Sequence, residues 1–192
     1  AAYPEISRLL RAGADTEAMN KYGAPPLYMA SQNGQSAIVK LLIDAKADVN
    51  AVNRNGTAPL SIASAKGRAD IAAMLLAAKA NVNTANKDGF TPLILASMSG
   101  HAKVVKLLLA AGANVNAART LDGVTPLYIA SEEGHADVVR LLLDAKADVN
   151  AKVNIHGSEF TPLSIARFHK RAEIAALLKK YGAKDAPENR TS

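Results

Sequence analysis

The chain contains no cysteine and no tryptophan. Without thiols it has no disulfide framework, no thiol nucleophile and no cysteine-ligated metal or cluster. Aromatic residues make up only 4% of the 192 positions, so the core must be built from Ala, Leu, Val and Ile. No apolar run approaches the roughly 18 residues of a membrane span, and no membrane insertion is expected. There is no Gly-rich phosphate loop and no His-Glu-x-x-His, so no cofactor, metal or catalytic residue is assigned. No zinc or recognition-helix pattern occurs, and no aromatics are interleaved to stack on bases, so nucleic acid is not an expected partner. Nor is the chain disordered: 49% of its residues are hydrophobic and 21% charged, an ordinary globular balance.

What the sequence does have is repetition. Pro-Leu-x-x-Ala occurs five times, at Pro26–Ala30, Pro59–Ala63, Pro92–Ala96, Pro126–Ala130 and Pro162–Ala166. The leucines at 27, 60, 93, 127 and 163 are 33, 33, 34 and 36 residues apart. A second string, Leu-Leu running on to Ala-Asp/Asn-Val-Asn, recurs at Leu41–Asn50, Leu75–Asn83, Leu107–Asn116 and Leu141–Asn150. Worn copies open the chain at Leu9–Asp15 and close it at Leu177–Ala183.

Each unit reads as helix, turn, helix and extended loop. Pro at the first helical position costs no hydrogen bond, because its missing N–H would have no intrahelical partner there. Thr91, Thr125 and Thr161 precede that Pro, where a hydroxyl can cap the free N–H groups. Gly34, Gly67, Gly100 and Gly134 break the chain after about two helical turns. The second helix carries an apolar face such as Val104, Val105, Leu107, Leu108 and Leu109. Neither helix could bury its face alone, so neighbouring units must stack and share one core.

Asp88-Gly89-Phe90-Thr91-Pro92-Leu93, Gly100-His101 and Gly112-Ala113-Asn114-Val115-Asn116 resemble the ankyrin repeat, and the pattern covers about residues 5 to 184. The resemblance implies an all-α solenoid of paired antiparallel helices with β-hairpin fingers. It also implies a non-catalytic module that binds another protein through those fingers and the concave face of the first helices. The expected organisation is one domain over 1–184: a half repeat at 1–20, repeats at 21–53, 54–86, 87–119 and 120–154, a C-terminal capping repeat at 155–184, and a polar tail at 185–192.

The chain departs from the family pattern in four ways. The His of Thr-Pro-Leu-His is replaced by Tyr28, Ser61, Ile94, Tyr128 and Ser164, so the hydrogen bonds of that His are lost. Pro25 and Ala58 replace the capping Thr. The glycine that ends the second helix is Lys46, Lys79 and Lys146 in three repeats and remains only as Gly112 among the full units. Either the turn changes there or the array accepts a left-handed lysine, at roughly 1 kcal/mol each. Finally, one residue is added between Asn116 and Gly123 and three between Asn150 and Thr161. Such insertions map to loops on one face of a solenoid, often the binding face.

Several polar residues have a structural role as their first reading. His101 and His135 share the slot where the family places a structural His. His156 and His169 make only a weak metal pair, and no metal is expected. Asp70 and Asp137 stand in the first turns of second helices, where the dipole favours a negative charge. The Val-Asn pairs ending at Asn50, Asn83, Asn116 and Asn150 are similar to ankyrin asparagines hydroxylated by a 2-oxoglutarate-dependent enzyme, but bridging of neighbouring fingers is the stronger reading. Asn189-Arg190-Thr191 matches a glycosylation sequon and is discounted, because no signal peptide is visible. Residues 161–184 hold six basic residues against one acidic, so most of the chain's +6 charge lies there. A solvated end cap explains this without a ligand.

If the family's variable slots transfer, Phe90, Ile94, Met98, Leu121, Val124 and Tyr128 line adjacent concave positions, with Tyr22, Phe160 and Phe168 as further contacts. Contiguous exposed apolar area marks interfaces, and aromatics are favoured anchors. For Ile94 and Tyr128 the alternative is that they fill the gap left by the missing His. At the helix ends stand Glu132 and Glu133 in the fourth repeat. Other functional classes remain open: a self-associating scaffold, an engineered repeat array, or the targeting domain of a larger enzyme or secreted effector. The chain opens without Met on half a repeat and reads as a piece cut from an array. A monomer is expected, with end-to-end association as the alternative, in a cytoplasm or delivered into a host cytoplasm. Because loss of a cap costs about 1 kcal/mol, hydrogen exchange should find residues 21–86 less protected than 87–154. Equal protection along the array would contradict this.

Overall fold

The structure, a computed structural model, describes residues 2–155 and 157–184. His156, the tail 185–192 and its sequon lie outside the described residues. The helices in chain order are α1 (Ala2–Arg11), α2 (Pro26–Gln32), α3 (Ser36–Asp44), α4 (Pro59–Ala65), α5 (Ala69–Ala77), α6 (Pro92–Met98), α7 (Ala102–Ala110), α8 (Pro126–Glu133) and α9 (Ala136–Asp144). Strands β1 (Val153–Ile155) and β2 (Ser158–Phe160) follow, then α10 (Pro162–Phe168) and α11 (Ala172–Lys180). The even-numbered helices α2 to α10 stack in one row, and the odd-numbered helices α1 to α11 stack in a second. No helix among the described residues is long and apolar enough to cross a membrane.

Every even-numbered helix begins with its Pro at the first turn. Thr91 and Thr125 accept from the N–H groups of Ile94 and Tyr128, each at 3.2 Å. Thr161 and Ser164 form a reciprocal capping box. Pro25 and Ala58 supply no side-chain cap, as the sequence requires. The rows are held close by small residues. Ala30, Ala63, Ala96, Ala130 and Ala166 are at most 2% exposed, and Leu27, Leu60, Leu93, Leu127 and Leu163 at most 1%. Ser31, Ser64 and Ser131 return their hydroxyls to the Leu27, Leu60 and Leu127 carbonyls at 2.7 Å. The seam needs no free donor at these positions. One aliphatic cluster therefore runs unbroken from Leu27 to Ala183.

A lock joins the interhelical turns of successive units. Gly67 and Gly100 have φ of 66° and 72°. A Cβ on Gly67 would lie 2.7 Å from His101 Nδ1, and one on Gly100 2.6 Å from the His135 ring. His101 Nε2 is 3.2 Å from the Ala65 carbonyl oxygen, and His135 Nε2 is 3.0 Å from that of Met98. Each imidazole thus lies over the glycine of the preceding unit, the structural duty expected of that slot. Arg68 covers Gly34, and Arg171 covers Gly134 while donating to the Glu133 carbonyl at 3.1 Å.

Regular fingers were expected throughout, but among the described residues only the last forms a ladder. Val153 pairs with Phe160, Asn154 with Glu159 and Ile155 with Ser158. The three added residues give that finger the length a ladder needs. The shorter fingers are turns closed by an asparagine side chain. Asn53 Oδ1 accepts from Asn55 and Thr57, and Asn86 Oδ1 from Asp88 and Phe90. Their remaining backbone groups bond sideways, as Arg54 N to Gly23 O and Lys87 N to Asn55 O.

The substituted lysines keep the left-handed turn. Lys46, Lys79 and Lys146 have φ of 66°, 69° and 67°, and Lys170 57°, so the array accepts the strain. Leu9 is 43% exposed, whereas its counterparts Leu42, Leu75, Leu108 and Leu142 are at most 3% exposed. Replacing Lys46, Lys79 or Lys146 by Gly should raise stability by about 1 kcal/mol per site in urea titrations. No gain would mean that the lysine stems make compensating contacts.

Candidate functional site

The nine residues expected at a binding surface fall into three groups. Ile94, Val124 and Tyr128 are enclosed, at 0%, 5% and 0% exposure, which corrects the expectation that Ile94 and Tyr128 line an open surface and leaves Val124 only an edge on it. With Ile129, Val153 and Ile165 they form a second apolar cluster beside the main seam. Ile94 and Tyr128 stand in the slot of the missing His, and their side chains join this cluster with Val124 and Val153 of the fingers. Phe90, Met98 and Phe160 lie half-buried against this cluster. Leu121, Tyr22 and Phe168 stand in solvent at 84%, 68% and 73% exposure.

Phe90, Met98, Leu121 and the edge of Val124 come together around a groove of about 630 Å³. Its walls are the fingers before α6 and α8, the ends of α6 and α8, and strand β1. Tyr22, Phe160 and Phe168 do not line it. Tyr22 sits at the far end of the array with the Lys21 ammonium 5.0 Å from its ring centre. The Phe168 ring meets the His169 ring edge-on at 5.2 Å.

Sequence reasoning missed Arg119, Asp122, Ile129, Asn154 and Ile155, which with Glu132 complete the lining. Both fingers that supply Arg119, Asp122, Asn154 and Ile155 carry insertions, and the insertions are the one sequence signal that could have found them. Arg119 Nε donates to Asp122 Oδ1 at 2.9 Å, and a second bond joins Nη2 to Oδ2. The guanidinium also lies 4.6 Å above the Phe90 ring, a cation–π geometry. The Arg119 bond holds the Asp122 carboxyl below the usual carboxylate range. Across the groove, burial pushes the Glu132 carboxyl up. Its Oε1 is 3.8 Å from His169 Nε2.

Asn50, Asn83, Asn116 and Asn150 bridge the units. Their Oδ1 atoms accept from the N–H groups of Asn81, Asn114, Asp148 and Lys184, each at 2.8 Å. Glu17 does the same for Asp48 at 2.9 Å at the start of the array. Ser36 donates to Asp70 of the next unit, which lowers the Asp70 carboxyl pKa.

Tyr28 and Tyr128 occupy the same slot with different outcomes. Both are buried, and burial raises both hydroxyl pKa values. For Tyr28 the Asn53 side chain offsets part of that rise. Tyr128 faces the last finger, where Val153 stands in place of that asparagine, and its hydroxyl has no partner among the described residues. An orphaned buried hydroxyl costs roughly 1–3 kcal/mol. Tyr128→Phe should therefore raise stability by about 1 kcal/mol. Urea denaturation checks this; unchanged or lower stability would refute the assignment.

No curated protein matches the chain. A family model described as "Ankyrin repeats (3 copies)" matches residues 2–86, 78–153 and 119–190. These matches together span almost the whole sequence. With the two stacked helix rows, the capped Pro-Leu turns and the asparagine bridges, they settle the family: the chain belongs to the ankyrin repeat proteins, whose general role is to bind other proteins.

Proposed function

We propose that the chain is a non-catalytic recognition module that holds a partner protein in the groove bounded by Phe90, Met98 and Leu121. The observation that carries this reading is Leu121. It stands 84% exposed on a finger carrying an added residue, beside two half-buried apolar side chains. Holding a leucine in water beside a ready apolar groove is unfavourable, and a partner that covers it recovers the burial. Val124 meets the partner with its exposed edge, and Ile94 and Tyr128 serve as the rigid floor beneath these contacts. Phe168, Phe160 and Tyr22 are outlying contacts for a partner large enough to reach them.

The test is a Phe90→Ala, Met98→Ala, Leu121→Ala variant compared with the wild type in affinity capture and titration. All three residues lie outside the continuous aliphatic seam, so the circular dichroism spectrum should stay helical. Affinity for the captured partner should fall about tenfold or more. Unchanged affinity would remove the groove as the binding site.

A further inference from the structure

The groove has a charge pattern as well as an apolar lining. Resting on the groove reading above, we propose that it selects a peptide segment carrying lysine or arginine next to its apolar anchor, and that Glu132 receives that cation.

Three charged side chains line the groove: Arg119, Asp122 and Glu132. Arg119 and Asp122 are paired in bidentate fashion and largely enclosed, at 20% and 14% side-chain exposure. They neutralise each other and offer an incoming segment no net charge. Glu132 is left. Its neighbours are Glu133, which adds negative charge, and His169, which opposes it only when protonated. The side chain is 28% exposed, partly stripped of water but still reachable. A chain of net charge +6 therefore presents a local acidic spot where apolar side chains gather around an open groove. A carboxylate in such surroundings gains most from a charge-assisted bond that replaces its lost hydration. A like-charged segment would be rejected by the same group.

The experiment is selection of random twelve-residue peptides displayed on phage against the wild-type chain, followed by fluorescence titration of the winners. Enriched peptides should carry an aliphatic or aromatic residue with Lys or Arg within a few positions. Glu132→Gln should weaken them about tenfold. Selection on Glu132→Lys should turn toward Asp and Glu. Circular dichroism confirms that both variants fold.

Two results separate the inferences. Winners that need Phe90, Met98 and Leu121 but lack a basic residue, or that ignore Glu132→Gln, would overturn the charge assignment and leave the groove standing. Winners that bind the triple-alanine variant as tightly as the wild type would overturn the groove reading itself. Absence of any enrichment would count against both.

Discussion

Close approach between consecutive first helices is the constraint on which the molecule depends. Helices α4, α6 and α8 each sit between two copies of themselves, so the residues at the contact must be small and the leucines wholly covered. Ala63, Ala96 and Ala130 are sealed at 0% exposure, and Ser64 and Ser131 hide their hydroxyls on their own helix. No unit has an interior of its own. The stability of any one is borrowed from the interface with the next, which makes the array effectively one-dimensional in its energetics. A chain with almost no aromatics can fold this way, because the seam asks for many modest aliphatic contacts and not for a few large ones.

Lateral polar contacts set the spacing that the seam requires. The asparagine bridges tie loop to loop, while the imidazole and guanidinium groups over the turn glycines tie turn to turn. The two sets lie at opposite ends of the helices, so each unit is held at both ends and cannot roll against its neighbour. This explains why the chain tolerates added residues in its fingers. Helix positions are fixed elsewhere, and an insertion only lengthens a projection.

The helical frame was legible because its determinants are local or strictly periodic: Pro after Thr, Gly at the turn, Leu every thirty-three or so residues. The structural histidines were legible for the same reason, and so was the column of lysines, though not whether its turn stays left-handed. The site was only partly so. Phe90, Met98 and Leu121 could be placed by slot, but slot alone does not say whether a side chain points at water or at the next finger. Tyr128 and Ile94 went inward because Val153 and Ile165 wait across the gap. That pairing depends on a finger altered by three residues, where register cannot be counted from the repeat. The Arg119–Asp122 pair was equally hidden, since it forms within an irregular loop and obeys no repeat.

The turn lock also gives the stack a direction. Gly34, Gly67, Gly100 and Gly134 each leave room for the ring or guanidinium of the following unit, at separations no Cβ would permit. Lys170 occupies the corresponding turn of the last unit with φ of 57°. The contact runs one way, from the side chain of the following unit onto the glycine of the preceding one. The two faces of each unit are therefore chemically different, and neighbours can stack in one order only.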